Sequence, residues 1–288
     1  DMLRLLAITL TCLWSANLFA QPLFWSAQKG DLHYLILGSV HVGDESMYPL
    51  PTAITHFLAK SDGLIIETDV RKTDGAVYPP AALLTKQVTS EQEASQIARI
   101  AKETGLSYEV LMQLPPWQTA LSIQMAQFSH LGYNPGDGVD MRLMSKATIN
   151  NVPVLSLEPL QFQIDMLTRQ PQGGKELLTS ILNDYDKGEQ LTDCLINSWK
   201  AGDAQKLVES ADLSSVSDTF TEQFLYQRNR DWATKLDNGT ILPKPAGRYL
   251  VVVGALHLVG KDNLIDLLTQ KGFQIAQLSD SQIAHCML

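Results

Sequence analysis

Short blocks of consecutive aliphatic residues alternate along this chain with longer stretches in which apolar positions recur every three or four residues. Leu23 to Ala27 and Leu32 to Ser39, separated by the turn residues Gln28, Lys29, Gly30 and Asp31, predict a β-hairpin. Pro49-Leu50-Pro51 then opens a helix carrying Ala53, Ile54, Phe57 and Leu58, and Leu64-Ile65-Ile66 predicts a short buried strand that ends in Glu67. Strand, helix and strand in that order, with an acid at the carboxyl end of the second strand, are the beginning of an open α/β sheet. The middle of the chain reads as helical. Ser90 and Glu93 form a capping box ahead of Ile97 and Ile100, and Pro115-Pro116 opens a helix with Trp117, Leu121, Met125 and Phe128 at helical spacing. Val139 to Ala147 is a further helix, Val152 to Leu157 a further strand, followed by Glu158. Helical patterns fill Pro159 to Asn238; Tyr249 to Val253 then reads as a fully buried strand, Asn263 to Lys271 as a helix and Phe273 to Leu278 as a last strand. With no low-complexity linker, the expected organisation is one domain over 21–288 with a helical insert at about 80–240.

Two of these strands close on the same punctuation. Gly38-Ser39-Val40-His41 follows Leu35-Ile36-Leu37, and Gly254-Ala255-Leu256-His257 follows the Tyr249 to Val253 run. A third match, Gly30-Asp31-Leu32-His33, lies in the hairpin turn with its histidine starting a strand, and is set aside. Both remaining histidines would leave the sheet at strand carboxyl ends, where open α/β sheets form their crevice. Two imidazoles and the strand-end Glu67 are a nitrogen, nitrogen, oxygen set suited to a divalent metal with open positions, and such a site performs hydrolysis. The bland alternative is two histidines hydrogen-bonded in tight turns. Phe224, Leu225, Arg228 and Trp232 place a guanidinium on an otherwise apolar helix face. There it could clamp a carboxylate or stabilise an oxyanion, or its stem could lie on the surface while its head pairs with Glu222 or Asp231. Glu158 could contribute to the same crevice or cap the helix after Pro159; Asp137 could satisfy local turn donors, and Asp44 and Glu45 could support His41 or simply begin a helix. His33, His56, His130 and His285 have no comparable setting. Nucleophile elbow, phosphate-cradling glycine loop, two-histidine helical zinc motif and paired Cys-x-x-Cys are all missing from the sequence, which argues against those enzyme classes.

Composition is that of a globular protein, 45% apolar and 18% charged over 288 residues, with a formal charge of −9 and no basic stripe. Nucleic acid and anionic membrane surfaces are therefore unexpected partners. Met2-Leu3-Arg4, the apolar run Leu5 to Leu13 and the small-residue exit Ser15 to Ala20 read as a signal peptide over 1–20, cleaved after Ala20, so the protein is expected to be exported, periplasmic or secreted. An uncleaved anchor is the alternative; once the signal is removed no stretch is long enough to span a bilayer. Cys194 and Cys286 remain in the mature chain, either as a pair or as two buried thiols.

Taken together, Leu37-Gly38-Ser39-Val40-His41-Val42-Gly43, Glu67, Gly138-Val139-Asp140, Leu157-Glu158 with Gln161, Arg228-Asn229-Arg230-Asp231-Trp232 and Gly254-Ala255-Leu256-His257-Leu258-Val259-Gly260 resemble the TraB/GumN family, which includes the TIKI-type metalloproteases. The resemblance runs in order from about Phe24 to Leu278. It implies an α/β fold with a central mixed sheet built from two similar halves, each with a strand-end Gly-x-x-His motif, and a large helical insert between them. It also implies a metal held by His41, His257 and Glu67, with Glu67 and Arg228 catalytic and Arg228 and Glu158 facing substrate. The divalent ion would be manganese or cobalt, with zinc left open. The activity implied is that of a metal-dependent hydrolase of peptidase type, acting on a peptide or protein. Similar folds also include haem-binding proteins, so a non-catalytic envelope protein that binds haem, metal or a polysaccharide fragment in the same crevice is the second reading. Oligomeric state is not encoded in these motifs.

Overall fold

The structure, a computed structural model, describes residues 19–213 and 215–288. The signal peptide expected over 1–20 therefore lies, except for its last two positions, outside the described residues. The sheet is mixed and has six strands: β1 (Phe24–Lys29), β2 (Leu32–Ser39), β3 (Gly63–Ile66), β4 (Val154–Ser156), β5 (Gly247–Gly254) and β6 (Gln274–Gln277), in the order β4-β3-β5-β2-β1-β6. β4, β3, β5 and β2 run parallel, whereas β1 is antiparallel to both β2 and β6. The chain is thus an α/β protein, as the alternation of patterns predicts.

β5 occupies the centre because its sequence permits nothing else. Tyr249, Leu250, Val251, Val252 and Val253 are all fully buried, and a strand apolar on both faces needs cover on both faces. Leu35, Ile36 and Leu37 of β2 and Leu64, Ile65 and Ile66 of β3 flank it in register, with Leu37 and Ile66 both opposite Val252. The helix Thr52–Ala59 carries the crossover from β2 to β3 and buries Ile54 and Leu58 against this core. A second apolar cluster, separate from the one around the sheet and including Ile97, Ile100, Leu111, Ile123, Leu178 and Leu182, joins the helices Glu91–Thr104, Tyr108–Gln113, Pro116–His130 and Lys175–Asp184. The capping box is present as Ser90 and Glu93 imply, each side chain bonding the other's backbone N–H.

One alternative left open by the sequence is resolved: Cys194, on the helix Gly188–Ala201, and Cys286 form a disulfide with their α-carbons 5.4 Å apart. The same helix supports the sheet edge, since Trp199 is buried and its Nε1 donates to the Gly38 carbonyl at 2.8 Å. Among the described residues no helix is long and apolar enough to cross a membrane.

Candidate metal centre

Four parallel strands deliver one side chain each to the same edge of the sheet. Reading across the sheet, Glu158 follows β4, Glu67 follows β3, His257 follows β5 and His41 follows β2. Register carries the pairing one residue past the strands, because Glu158 N–H donates to the Glu67 carbonyl at 3.0 Å. Gly254 supplies the space between them. A Cβ built there would lie 3.4 Å from Glu67 Oε2, 3.5 Å from His257 Cδ2 and 3.6 Å from His41 Nε2, so three candidate groups converge on a single point above this glycine.

Each histidine is oriented from behind. Nδ1 of His41 is 2.8 Å from Asp140 Oδ2, and Asp140 Oδ1 accepts from the Ser39 hydroxyl at 2.8 Å. Nδ1 of His257 is 2.6 Å from Asn229 Oδ1, whose amide nitrogen donates in turn to the Asp262 carbonyl at 3.0 Å. With an acceptor at each Nδ1, that nitrogen carries a proton, and His41 Nε2 and the Cδ2 edge of His257, next to its Nε2, face the shared point; a second layer of contacts of this kind orients metal-ligating histidines. The two rings differ in exposure: His257 is buried against Trp232, with ring centroids 4.4 Å apart, whereas the His41 side chain is 65% exposed. Their protonation differs accordingly. The charge of Asp140 raises the His41 pKa to about 9, while burial pushes His257 down to about 4, leaving it neutral at pH 7.

Glu67 is held between the rings and Arg228. Its Oε2 accepts the Gly254 N–H at 2.8 Å and stands 3.7 Å from His41 Nε2, while Oε1 accepts from Arg228 Nη2 at 2.7 Å. Burial alone would raise its pKa. The charges of His257, His41 and Arg228 and the Gly254 hydrogen bond outweigh it and hold the carboxyl down to about 2; with His257 uncharged at neutral pH, Arg228 and His41 sustain the effect there. Arg228 is not at the surface. Glu222 pairs instead with Arg230, and Asp231 with Lys235. The Arg228 guanidinium bonds Glu67, both oxygens of Glu158 and the Phe224 carbonyl, and lies 4.7 Å from the Trp232 ring. It reaches inward from the start of the helix Gln227–Asn238, just after the π-helical turn Glu222–Tyr226, an irregularity that shifts the face expected from simple helical spacing. Glu158 also accepts from Trp232 Nε1 at 3.1 Å and Gln163 Nε2 at 3.0 Å, so it is turned toward Arg228 and away from solvent.

Of the sequence-derived candidates, His41, His257, Glu67, Arg228 and Glu158 are brought into one network. Asp44 caps the short turn after it, and Asp137 and Glu45 both pair with Arg142, so none of the three touches His41. Reading residues singly missed Asp140 and Asn229 as partners of the histidines. Their only signal was position, Asp140 next to the glycine-led helix start and Asn229 next to Arg228. A cavity of 860 Å³ between Tyr78, Trp117 and the helix Leu160–Thr168 contains neither histidine, and the chemistry lies instead beside a smaller cavity of 460 Å³ lined by His41 and Glu67.

A mixed sheet with two histidines and two carboxylates at its parallel strand ends, and a buried arginine brought to them by a helix, defines the class. The chain belongs to the TraB/PrgY/gumN family, which matches residues 23–277. It is 32% identical over 264 residues, 89% of this chain and 96% of the relative, to the uncharacterized protein YbaP of Escherichia coli (strain K12), and to the same degree and extent to that of Shigella flexneri. A 72-residue stretch, 25% of this chain and 14% of the relative, is 32% identical to a metalloprotease TIKI homolog of Amphimedon queenslandica. No solved structure matches the chain significantly.

Proposed function

We propose that this protein is an exported metal-dependent hydrolase acting on peptides, with a divalent cation held by Nε2 of His41, Nε2 of His257 and Glu67 Oε2. The observation that carries this reading is the convergence of Glu67 Oε2, His41 Nε2 and the His257 ring above Gly254, each histidine having its Nδ1 tied down. Charge supports the fit. A cation at His41 Nε2 would take the place of the proton that Asp140 favours there; with that proton gone, the carboxylates of Glu67, Asp140 and Glu158 face a single guanidinium, leaving two negative charges for a divalent ion to balance. As arranged here, no three His, Cys, Asp or Glu side chains among the described residues are already gathered as closely as a bound ion would draw them. When bound, such an ion supplies Lewis acidity and acidifies water. The chain's own contribution is orientation and charge. Asp140 and Asn229 fix the two imidazoles, and Arg228, itself anchored by Glu158, keeps Glu67 ionised. Oε1 of Glu67 is engaged by Arg228 and Oε2 is the atom turned to the shared point, so Glu67 acts as a ligand in this reading, not as general base. Arg228 retains few free N–H donors, and its part is to position Glu67.

The partial likeness to a metalloprotease TIKI homolog supports the choice of peptides. The two Gly-x-x-His turns, which follow the parallel neighbours β2 and β5, are read as counterparts in two similar halves. Export is supported by the signal-like run over 1–20 and by the Cys194–Cys286 disulfide. The test is elemental analysis after incubation with mixed divalent metals, with His41→Ala and His257→Ala beside the unaltered protein. Near-stoichiometric metal, lost in both variants and accompanied by hydrolysis of a peptide panel, is the expected result. Absence of specific metal from every sample would turn the reading toward ligand binding.

A further inference from the structure

Beside His41 and Glu67 a cavity of 460 Å³ opens, within the roughly 300–1,000 Å³ range of small-ligand pockets. Its charged lining is already satisfied from within: Asp140 by Ser39 and His41, Glu67 by Arg228 and the Gly254 N–H. The Gln163 amide, also on the wall, is turned to Glu158. Apart from Thr68 and the Pro135-Gly136 turn, what remains to meet an incoming group is apolar, with Ile66 and Met144 as a buried floor, Met141 half-buried, and Val70 and Met125 exposed at the rim.

From this arrangement we infer that the cavity is the subsite for an uncharged, apolar side chain of the peptide substrate, next to the bond placed at His41 and Glu67; the inference rests on the hydrolase reading. An aliphatic or aromatic side chain entering here exchanges water for methionine and isoleucine surface and displaces no existing hydrogen bond. A charged side chain would lose its hydration and find no free counter-charge, because the two carboxylates and the His41 ring on the wall are already paired with one another. Three methionines around the cavity also set the breadth of the preference. Their unbranched, polarizable side chains adapt to differently shaped apolar groups, so leucine, methionine and phenylalanine are accommodated alike. The subsite selects for apolarity more than for shape.

The experiment uses the protein as purified, with and without added zinc, carrying ¹³C-methyl methionine. It is titrated with acetyl-Ala-Ala-X-Ala-Ala-amide peptides in which X is Leu, Met, Phe, Gly, Asp or Lys. Methyl signals are assigned through Met125→Leu, Met141→Leu and Met144→Leu. Leu, Met and Phe peptides are expected to shift these three methyls and to bind ~10-fold or more tightly than the Asp and Lys peptides. Met125→Lys, at the exposed rim, should move the preference toward the Asp peptide. Equal binding of charged and apolar peptides, no binding, or shifts confined to other methionines overturns the subsite. If apolar peptides bind there but metal-loaded protein cuts none, the subsite stands and the hydrolase reading falls. Cleavage indifferent to X leaves the hydrolase reading intact and removes the subsite.

Discussion

Arg228 shows how much of this site is a matter of buried charge. A guanidinium taken out of water is tolerated because Glu67, Glu158 and the Phe224 carbonyl meet its donors, and removing one member of such a buried set costs about 3–5 kcal/mol by stranding the others. The histidines respond to their partners in opposite senses, which gives a pH signature. His41 is raised to about 9 by Asp140, so its contribution to stability is fully present below the ordinary histidine range and is lost as pH climbs through about 9. His257, depressed to about 4 by burial, resists protonation when folded, so stability falls as pH drops from about 6.5 toward 4. Glu67, depressed to about 2, withdraws its share only below the usual carboxylate range. In Asp140→Asn the alkaline loss should disappear and His41 should titrate near its ordinary value. Histidine NMR and urea midpoints across pH measure both, and an unchanged His41 titration would mean that Asp140 is not what holds its proton.

At the scale of elements, His41 is placed by the contact of two backbone segments. The turn after β2 lies against the start of the helix Val139–Ile149: Val139 N–H donates to the Val40 carbonyl, and Gly43 and Asn134 exchange a pair of backbone hydrogen bonds. Gly138 has ordinary dihedrals, yet a Cβ there would lie 2.4 Å from the His41 carbonyl oxygen, so glycine is required by the approach of the chain and not by φ. Gly138→Ala should therefore destabilise by about 1–3 kcal/mol, as overpacking does, and weaken metal uptake by displacing His41. Gly136→Ala, where nothing lies within 4 Å, is the neutral control. Denaturant midpoints and metal content of the two variants decide it; equal behaviour would show that the loop yields without cost.

In the whole molecule, a sheet edge, a helix and the carboxyl-terminal segment are tied together around the same region. Cys286 is bonded to Cys194, the Ala284 N–H donates to Asp203, and Trp199 on the disulfide-bearing helix holds the Gly38 carbonyl where the first Gly-x-x-His turn begins. The disulfide joins residues 92 apart, and closing a loop of that size restrains the unfolded chain enough to stabilise by about 2–4 kcal/mol. Cys286→Ser should lower the thermal midpoint accordingly, and reduction of the unaltered protein should lower it by the same amount. A midpoint insensitive to both would show that the link does not restrain unfolding.

The strands were legible in the sequence because their signals are local. Five consecutive apolar residues from Tyr249 to Val253 can be satisfied only by burial on both faces, and the glycines after β2 and β5 mark where each chain leaves the sheet. For the same reason the sequence alone assigns His41, His257 and Glu67 to one edge, since parallel strands end together. Strand order was not local: the sequence places β5 last but one, and only the fold inserts it between β2 and β3. Nor could spacing foretell that Asp140, 99 residues away, orients His41, that Asn229 orients His257, or that Arg228 reaches Glu67 across 161 positions. Periodicity records which face of an element is buried, but a hydrogen bond between distant side chains depends on how those elements are packed, and that was decided only in three dimensions.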